Sequence, residues 1–314
     1  MGAATSLPLR RRSRRPSRGW RLRSFRARAR RSSDVARRTL RSPTALVGGV
    51  IILLILIMAL LAPVLVEPNV PDPYQMPRDW AAIDMPPGTP GHVLGTTPTG
   101  GDVLYGIVWG ARNSVRLAFI VVTITLTVGV AVGSIAGFLG GRWDDVLMRI
   151  VDVVMTVPEL ILALAVVAVL GPSFENIILS LAVVGWADYA RVVRAEIMTA
   201  RLNEYVEAAR VLGDSRWRIF LKDLLPNTLT PIIVLSTIDF GKTVLVGAGL
   251  SFIGLAEAGL AEWGNLVSEG SDGVVVGSWW VATFAGAMVF LWAISFNLVG
   301  DGLRDALDPK SDHR

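Results

Sequence analysis

The stretch TALVGGVIILLILIMALLAPVLV, residues 44–66, decides the fold class of this 314-residue chain. It carries no charged side chain, and an α-helix needs roughly 20 apolar residues to cross a hydrocarbon core about 30 Å thick. The run is too long for the apolar core of a cleaved signal peptide. Since the whole chain is 52% hydrophobic and only 18% charged, its composition is that of a membrane protein. The stretch therefore predicts a membrane-spanning helix.

Further apolar segments of similar length follow along the chain, and they predict an all-α, polytopic membrane protein with six transmembrane helices. No cysteine is present, which excludes disulfides, thiolate metal sites and cysteine nucleophiles. The predicted spans are residues 44–66, 115–139, 150–170, 176–193, 228–250 and 279–303.

The distribution of Lys and Arg predicts how the chain is oriented. Residues 1–43 form an arginine-rich tail and residues 194–226 are also basic, whereas residues 251–278 hold four acidic and no basic residues. Basic segments stay on the cytoplasmic side, so both termini are expected in the cytoplasm of a cell with this chain in its inner or plasma membrane. The predicted segments are a largely disordered tail (1–43), a first span (44–66), an extracytoplasmic proline-rich loop (67–110), a five-helix core (111–303) with a cytoplasmic elbow (194–226), and a cytoplasmic C-terminus (304–314).

The charge of the tail has a sufficient physical reason in topology and in attraction to anionic headgroups. Its composition predicts disorder. Nucleic acid is therefore not an expected partner, and the lipid bilayer is.

The elbow contains EYVEAARVLGDSRWRIFLKDLLPN, residues 204–227, between two apolar spans. Helical spacing predicts that the fourth span continues as an amphipathic helix to Gly213, where glycine ends a helix at little cost. A second helix, 216–225, is predicted to stop at Pro226. From the residues alone two interpretations stay open: a knob that another protein grips, with Trp217 as an apolar anchor, or a hairpin lying on the headgroups.

The elbow resembles the Glu-Ala-Ala signature of permease subunits of ATP-binding-cassette importers. The matching positions are Glu207, Ala208, Ala209 and Gly213, followed by a leucine–proline pair. Other segments, among them GHVLGTTPTGGDVLYGIVWGARNSVRLA and LSFIGLAEAGLAEWGNLVSEG, resemble the dipeptide, oligopeptide and nickel branch. The resemblance implies a type I importer permease fold and the second, six-span permease of that branch.

The resemblance also implies partners and roles. The expected partners are a homologous permease subunit, two cytoplasmic ATP-binding-cassette ATPase subunits and an extracytoplasmic solute-binding protein. The elbow would dock into a groove on an ATPase, with Glu207 as the polar contact, Ala208 and Ala209 as its close-packed floor and Gly213 as the hinge. The implied cargo is di- or oligopeptides, and nickel, glutathione or haem are the alternatives.

Some positions depart from the pattern of the branch. It usually has an acidic residue where Thr97 stands, arginine at Gly101 and glutamate at Gly247. The contacts of the outer turn and the choice of substrate are therefore expected to differ from those of the branch. The departing positions are Thr97, Gly101, Asp223, Gly247 and Ala285.

Asp239 and Lys242 lie three residues apart in the predicted fifth span, so they share a helix face and can pair. Charged residues at membrane depth usually face a cavity or one another. Two interpretations follow: a pair that lines the transport pathway and senses a charged or zwitterionic substrate, or a pair that locks neighbouring spans.

A self-sufficient, ion-coupled secondary transporter is the more remote alternative. It would use Asp239 and Lys242 together with Asp152 and Glu159, which are seven residues apart on the predicted third span. Asp152 is expected to pair with Arg149 or with a partner subunit.

Several features predict that the chain is not an enzyme. The sequence contains no phosphate-binding G-x-x-x-x-G-K-[ST] stretch, so ATP hydrolysis would belong to partner subunits, and no cofactor or catalytic residue is predicted. His92 lacks a second ligand at metal spacing. The outer carboxylates at 257, 262 and 269 are expected to be solvated or to contact a binding protein. The ladder Gly129, Gly133 and Gly137 predicts close helix packing.

Overall fold

The computed structural model describes residue 39, residues 42–68 and residues 70–307. The predictions for the arginine-rich tail and for the end of the C-terminal segment fall mostly outside these residues. In the described part every regular element is helical, with only isolated β-bridges elsewhere, and the all-α prediction is confirmed. The helices are α1 (Pro43–Leu60), α2 (Ala62–Leu65), α3 (Val103–Leu139), α4 (Gly141–Thr156), α5 (Glu159–Leu170), α6 (Phe174–Ala200), α7 (Glu204–Val211), α8 (Arg216–Ile219), a π-helical turn (Phe220–Leu224), α9 (Leu225–Phe252), α10 (Trp263–Val276) and α11 (Trp280–Leu307).

Among the residues that the structure describes, five helical segments are long and apolar enough to cross a membrane, and the pair α4 and α5 provides a sixth span if it is counted as one. The prediction of one straight helix over residues 150–170 is wrong, because α4 and α5 meet at 86°. Val157 is extended before Pro158, since a proline ring disfavours helical geometry in the residue before it. Asp152 and Glu159 therefore lie on different helices, and the shared face of the proton-relay hypothesis does not exist.

The glycine ladder lets α3 pack directly on α6. A Cβ atom at Gly129 would lie 2.6 Å from the carbonyl oxygen of Trp186, and one at Gly137 would lie 3.0 Å from Cβ of Ile197. Small residues allow such close approach of two backbones in membranes. Close packing matters there because the hydrophobic effect does not drive helices together in lipid. The predicted packing role of the ladder is confirmed.

Substituting Gly133 by leucine is expected to destabilise the protein, because its Cβ alone would lie 2.8 Å from Cβ of Val193 and collide with the carbonyl oxygen of Ala190. Overpacking of this kind costs typically about 1–3 kcal/mol. Thermal unfolding of the detergent-solubilised protein measures the effect. Gly286→Leu is the matched control, since nothing lies within 4 Å of a Cβ there; equal melting temperatures for the two variants would contradict the packing assignment.

The proline-rich segment ahead of α3 forms turns without a helix among its described residues, as predicted. It folds onto α10 and the chain just before it. Met76 donates its backbone N–H to Gly259 (2.8 Å), and Ala261 donates to Tyr74 (2.7 Å). Arg78 and Thr99 both reach the Glu269 carboxylate, at 3.5 and 2.8 Å. The two outer segments therefore form one folded unit.

The departures from the branch pattern at this turn have a local explanation. Thr97 accepts the backbone N–H of Gly101 through its hydroxyl at 2.9 Å. Met76 occupies the space beside Gly101, where even a Cβ would meet its side chain. Met76 therefore fills the space that a longer side chain at position 101 would need.

Arg112 and Arg116, in the first half of α3, stack on aromatic rings. Arg112 lies 5.6 Å from the ring centre of Trp109, and Arg116 lies 5.7 Å from that of Phe174. Cation–π contacts of this kind favour a guanidinium at a membrane boundary.

Glu262 is buried, with 2% of its surface exposed, so the expectation that it is solvated is wrong. It caps α10 by accepting the backbone N–H of Asn265 at 3.1 Å. Burial raises the pKa of this carboxyl above its ordinary value. The segment looks like an open, glycine-rich loop in the sequence, but it pairs with residues 74–76, and Gly264 beside it packs against Ala248 and Ser251 of α9.

This burial predicts a pH dependence. A carboxyl whose pKa is higher in the folded than in the unfolded state contributes stability below its unfolded pKa, about 4.5, and that stability is lost as the pH rises through the folded value. The opening free energy of α10, measured by hydrogen exchange corrected for the intrinsic rate at each pH, is expected to fall as the pH rises above 4.5 in the native protein, and less so in Glu262→Gln. A pH response that is the same in Glu262→Gln would show that another group is responsible.

Candidate functional site: the elbow and the membrane ion pairs

The elbow is a chain of short helices between α6 and α9. Contrary to expectation, α6 does not continue to Gly213: it ends at Ala200, and α7 starts afresh after Asn203. Gly213 follows α7 with φ +85°, the left-handed conformation that glycine adopts without strain. Ser215 then caps α8 by accepting the N–H of Arg218. The predicted glycine stop is present.

The prediction that the second elbow helix stops at Pro226 is wrong. The chain stays helical from Arg216 to Phe252. The π-helical turn Phe220–Leu224 ends two residues before the proline and closes with a bond from Leu225 N–H to the Phe220 carbonyl. Because a π turn is wider than an α turn, it relieves the clash between a proline ring and the preceding turn. The elbow is thus continuous with the fifth long helix.

Buried apolar side chains fasten the elbow to the helix bundle. Val206, Ile219, Phe220 and Leu224 pack in one cluster with side chains of α6, including Val193 and Ile197 on one face of that helix. The Phe220 ring lies 4.6 Å from that of Phe138 at the end of α3. The elbow is therefore packed against α3 and α6, and it runs on into α9.

The outward surface of the elbow carries the residues singled out from the sequence. Glu207 and Ala208 are exposed, whereas Ala209 is half-buried and packs towards the cluster. Val211 and Leu212 are 88% and 85% exposed, and sequence reasoning missed them. They stand just before Gly213, opposite the buried Val206. The signal available in the sequence was their position at the end of the helical spacing of α7, which places them away from the buried face.

Trp217 has two surfaces. It is 61% exposed, while its ring lies 4.9 Å from Phe138 and 6.1 Å from Phe220. It also borders an apolar crevice of about 590 Å³ between α3 and α9. Trp217, the predicted apolar anchor, thus packs partly against the helix bundle of its own chain and is partly exposed.

Lys242 does not pair with Asp239, which corrects the sequence prediction. Its ammonium makes an ion pair with Glu159 at the start of α5, and it lies 3.8 Å from Asp188 of α6. Asp239 instead accepts a hydrogen bond from the Tyr189 hydroxyl at 3.0 Å. Three helices therefore meet at Lys242, where the sequence spacing indicated a pair within one helix.

Asp152 pairs with Arg191 of α6 at 2.6 Å and not with the expected Arg149. Arg194, one turn further on, binds Asp144 through two nitrogens. These two arginines hold α4 across the inner part of α6.

The described residues contain no group of three potential metal ligands among His, Asp and Glu. His92 lies 2.8 Å from Asp102, which caps the start of α3 by accepting the N–H of Tyr105. The histidine therefore belongs to the folding of the outer turn.

With this geometry in place, similarity to known proteins is informative. Residues 129–313 match the family described as binding-protein-dependent transport system inner membrane component. The chain belongs to this family. Residues 31–87 match the N-terminal transmembrane domain of oligopeptide transport permease C. The first of these matches, over residues 129–313, covers the elbow, Glu159, Asp188 and Lys242. It establishes that the chain is a multi-pass permease of an inner membrane.

Individual relatives cover most of this permease. The probable D,D-dipeptide transport system permease of Escherichia coli is 39% identical, over 86% of this chain and 89% of the relative. The di/tripeptide permease of Pseudomonas aeruginosa is 38% identical, over 85% and 88%. A glutathione transport permease of Pectobacterium atrosepticum is 34% identical, over 87% and 89%.

A solved structure supports the fold. The inward-facing MetNI methionine ABC transporter contains a chain that covers 66% of this permease and 98% of its own length, with a TM-score of 0.53 and 18% identity. The similarity confirms the expected fold of an importer permease. At this identity it says nothing of cargo.

Proposed function

We propose that this permease forms half of the translocation pathway of an ATP-driven importer for di- and oligopeptides. The observation that carries the proposal is the similarity, over 86% of the chain, to a D,D-dipeptide permease, together with a di/tripeptide permease at nearly equal identity. A relative named for glutathione, itself a peptide, is less similar. Nickel and haem are the alternative substrates, and the uptake experiment below tests them.

The partners follow from the same proposal. A homologous permease completes the pathway, two cytoplasmic ATPase subunits supply the energy, and a solute-binding protein delivers the peptide outside. The elbow is the contact with an ATPase: Glu207 provides a charge, Ala208 and Ala209 allow close approach, and Gly213 allows the bend between α7 and α8. Support comes from its exposed surface and its buried attachment to α3 and α6.

Asp239 and Lys242 are proposed to line the pathway. Both are carried by α9, and the Lys242 side chain is 41% exposed. A charged group that is exposed within a membrane-spanning segment is costly against lipid, so it faces water or another subunit.

Uptake by proteoliposomes tests the proposal. The importer, purified with its partner subunits, is expected to accumulate labelled dipeptide only with the binding protein outside and ATP inside. Uptake driven by a proton gradient without ATP would favour the secondary transporter. ATP-dependent uptake of nickel or haem with no peptide uptake would overturn the assignment of cargo. Purified alone, the chain is expected to bind no ATP above background.

A further inference from the structure

A polar cluster lies at mid-membrane depth on this subunit. It comprises Glu159, Asp188, Tyr189, Asp239 and Lys242, contributed by α5, α6 and α9. Lys242 is ten residues before Phe252, Glu159 is eleven before Leu170, and Asp188 is fourteen after Phe174. At 1.5 Å per residue these separations are about 15, 16 and 21 Å. Three helices thus place their charges near the middle of a core about 30 Å thick.

The cluster is open at the surface of the subunit. The side chains of Lys242, Glu159 and Asp188 are 41%, 29% and 47% exposed. Beside them is a recess of about 160 Å³, which Glu159 and Asp188 line together with Val157 and Pro158. Since a water molecule takes about 30 Å³ of the liquid, the recess has room for about five waters. Charges of this exposure at this depth face water or another subunit, because lipid would not solvate them.

The charges in the cluster are unequal. Three carboxylates surround one ammonium, and Asp239 is held by the Tyr189 hydroxyl. Lys242 pairs closely with Glu159 but is 3.8 Å from Asp188, which is beyond hydrogen-bond distance. Asp188 is therefore the carboxylate with the weaker cation contact, and it borders the recess.

We propose that this cluster is a substrate station at which the two charged ends of a short peptide replace the Lys242–Glu159 ion pair. The peptide ammonium binds Asp188 and Glu159 at the recess, and the peptide carboxylate binds Lys242. In the exchange, one ion pair within the protein is replaced by two ion pairs between the protein and the peptide. No unpaired charge therefore enters the low-dielectric region, where it would be costly. Two residues span at most about 7 Å, so a short movement of the flexible lysine opens enough room.

The proposal rests on the proposed function, and it makes Glu159 and Asp188 specificity-determining residues that sequence spacing did not reveal. It also gives the break at Pro158 a role. Glu159 is the first residue of α5, so the 86° bend sets where its carboxylate stands. A straight helix over this region would leave the carboxylate elsewhere.

The test compares peptides that differ only at their ends. ATP-driven uptake into proteoliposomes is measured for a dipeptide with uncharged side chains, its N-acetylated form and its C-terminal amide. Asp188→Asn is expected to lower the preference for the free over the acetylated amine about tenfold, and Lys242→Met to lower the preference for the free acid over the amide by a similar factor, as for lost charged hydrogen bonds. The binding protein is the same throughout, so its own preference cancels in these ratios. Glu196→Gln, a half-buried position two turns further along α6 and outside the cluster, should change neither ratio.

A purely structural ion pair would give a different result. Loss of the Lys242–Glu159 lock would lower uptake of all three peptides equally, and unchanged ratios would overturn the proposal. Absence of any peptide uptake by the native importer would instead reject the proposed function itself.

A labelling measurement does not depend on the binding protein's preference. The chain has no cysteine, so Val157→Cys places a single thiol at the rim of the recess, where the side chain is 38% exposed. A water-soluble thiol reagent is expected to modify it, and the free dipeptide, but not its doubly blocked form, should slow the reaction. A thiol that no water-soluble reagent reaches, or equal protection by both peptides, would overturn the station.

Discussion

Replacing Val211 and Leu212 together by aspartate is expected to detach the ATPase subunits and abolish uptake. Their side chains are 88% and 85% exposed, and fully burying one such side chain is worth about 1.5–3 kcal/mol. Losing both from an interface corresponds to roughly a hundredfold or more in affinity. Co-purification of the ATPases with the tagged permease measures the effect.

The matched control for that substitution lies on the opposite side of the molecule. Val93 is 66% exposed in the outer turn, and Val93→Asp should leave the ATPases bound. If the elbow variant retains the ATPases in normal amount, Val211 and Leu212 are not part of the docking surface.

Phe220→Ala is expected to uncouple the permease while leaving the ATPases attached. Phe220 is buried and contacts Phe138 of α3 at 4.6 Å, and truncating a buried phenylalanine costs about 3–5 kcal/mol. The exposed docking residues are unchanged, so the ATPases would still bind the elbow. The movement of the elbow would be transmitted poorly to the long helices. The expected readout is ATP hydrolysis that continues with at least a tenfold fall in peptide imported per ATP.

Leu221→Ala controls for the loss of side-chain volume in the same π-helical turn, because Leu221 is 58% exposed. It should preserve the coupling ratio. Equal losses in both variants would mean that the buried attachment does not carry the movement.

Local sequence predicted the parts of the fold that depend on one segment at a time. The apolar runs predicted the long helices, and the spacing of Gly129, Gly133 and Gly137 predicted a close helix contact, since both follow from the chemistry of a single helix. Gly213 likewise predicted a left-handed stop. These features need no knowledge of which helices become neighbours.

The remaining features depend on tertiary neighbours. Lys242 finds Glu159 and Asp188 on other helices, which an i, i+3 spacing cannot reveal. Glu262 is buried in a segment that pairs with residues 74–76 and packs on α9, and neither neighbour can be read from local sequence. At Pro226 the sequence rule for proline was overridden by a π turn, a backbone adjustment that leaves no mark in residue identity.

Sided labelling at Ala208 tests the central claim most directly, namely that a cytosolic motor grips this elbow. Ala208 is exposed, and Ala208→Cys supplies the only thiol in a chain that has none. In membrane vesicles of known orientation, an impermeant reagent is expected to modify it from the cytoplasmic side only, and bound ATPase should protect it. Labelling of that thiol from the external side would contradict the account, because no ATPase can reach it there.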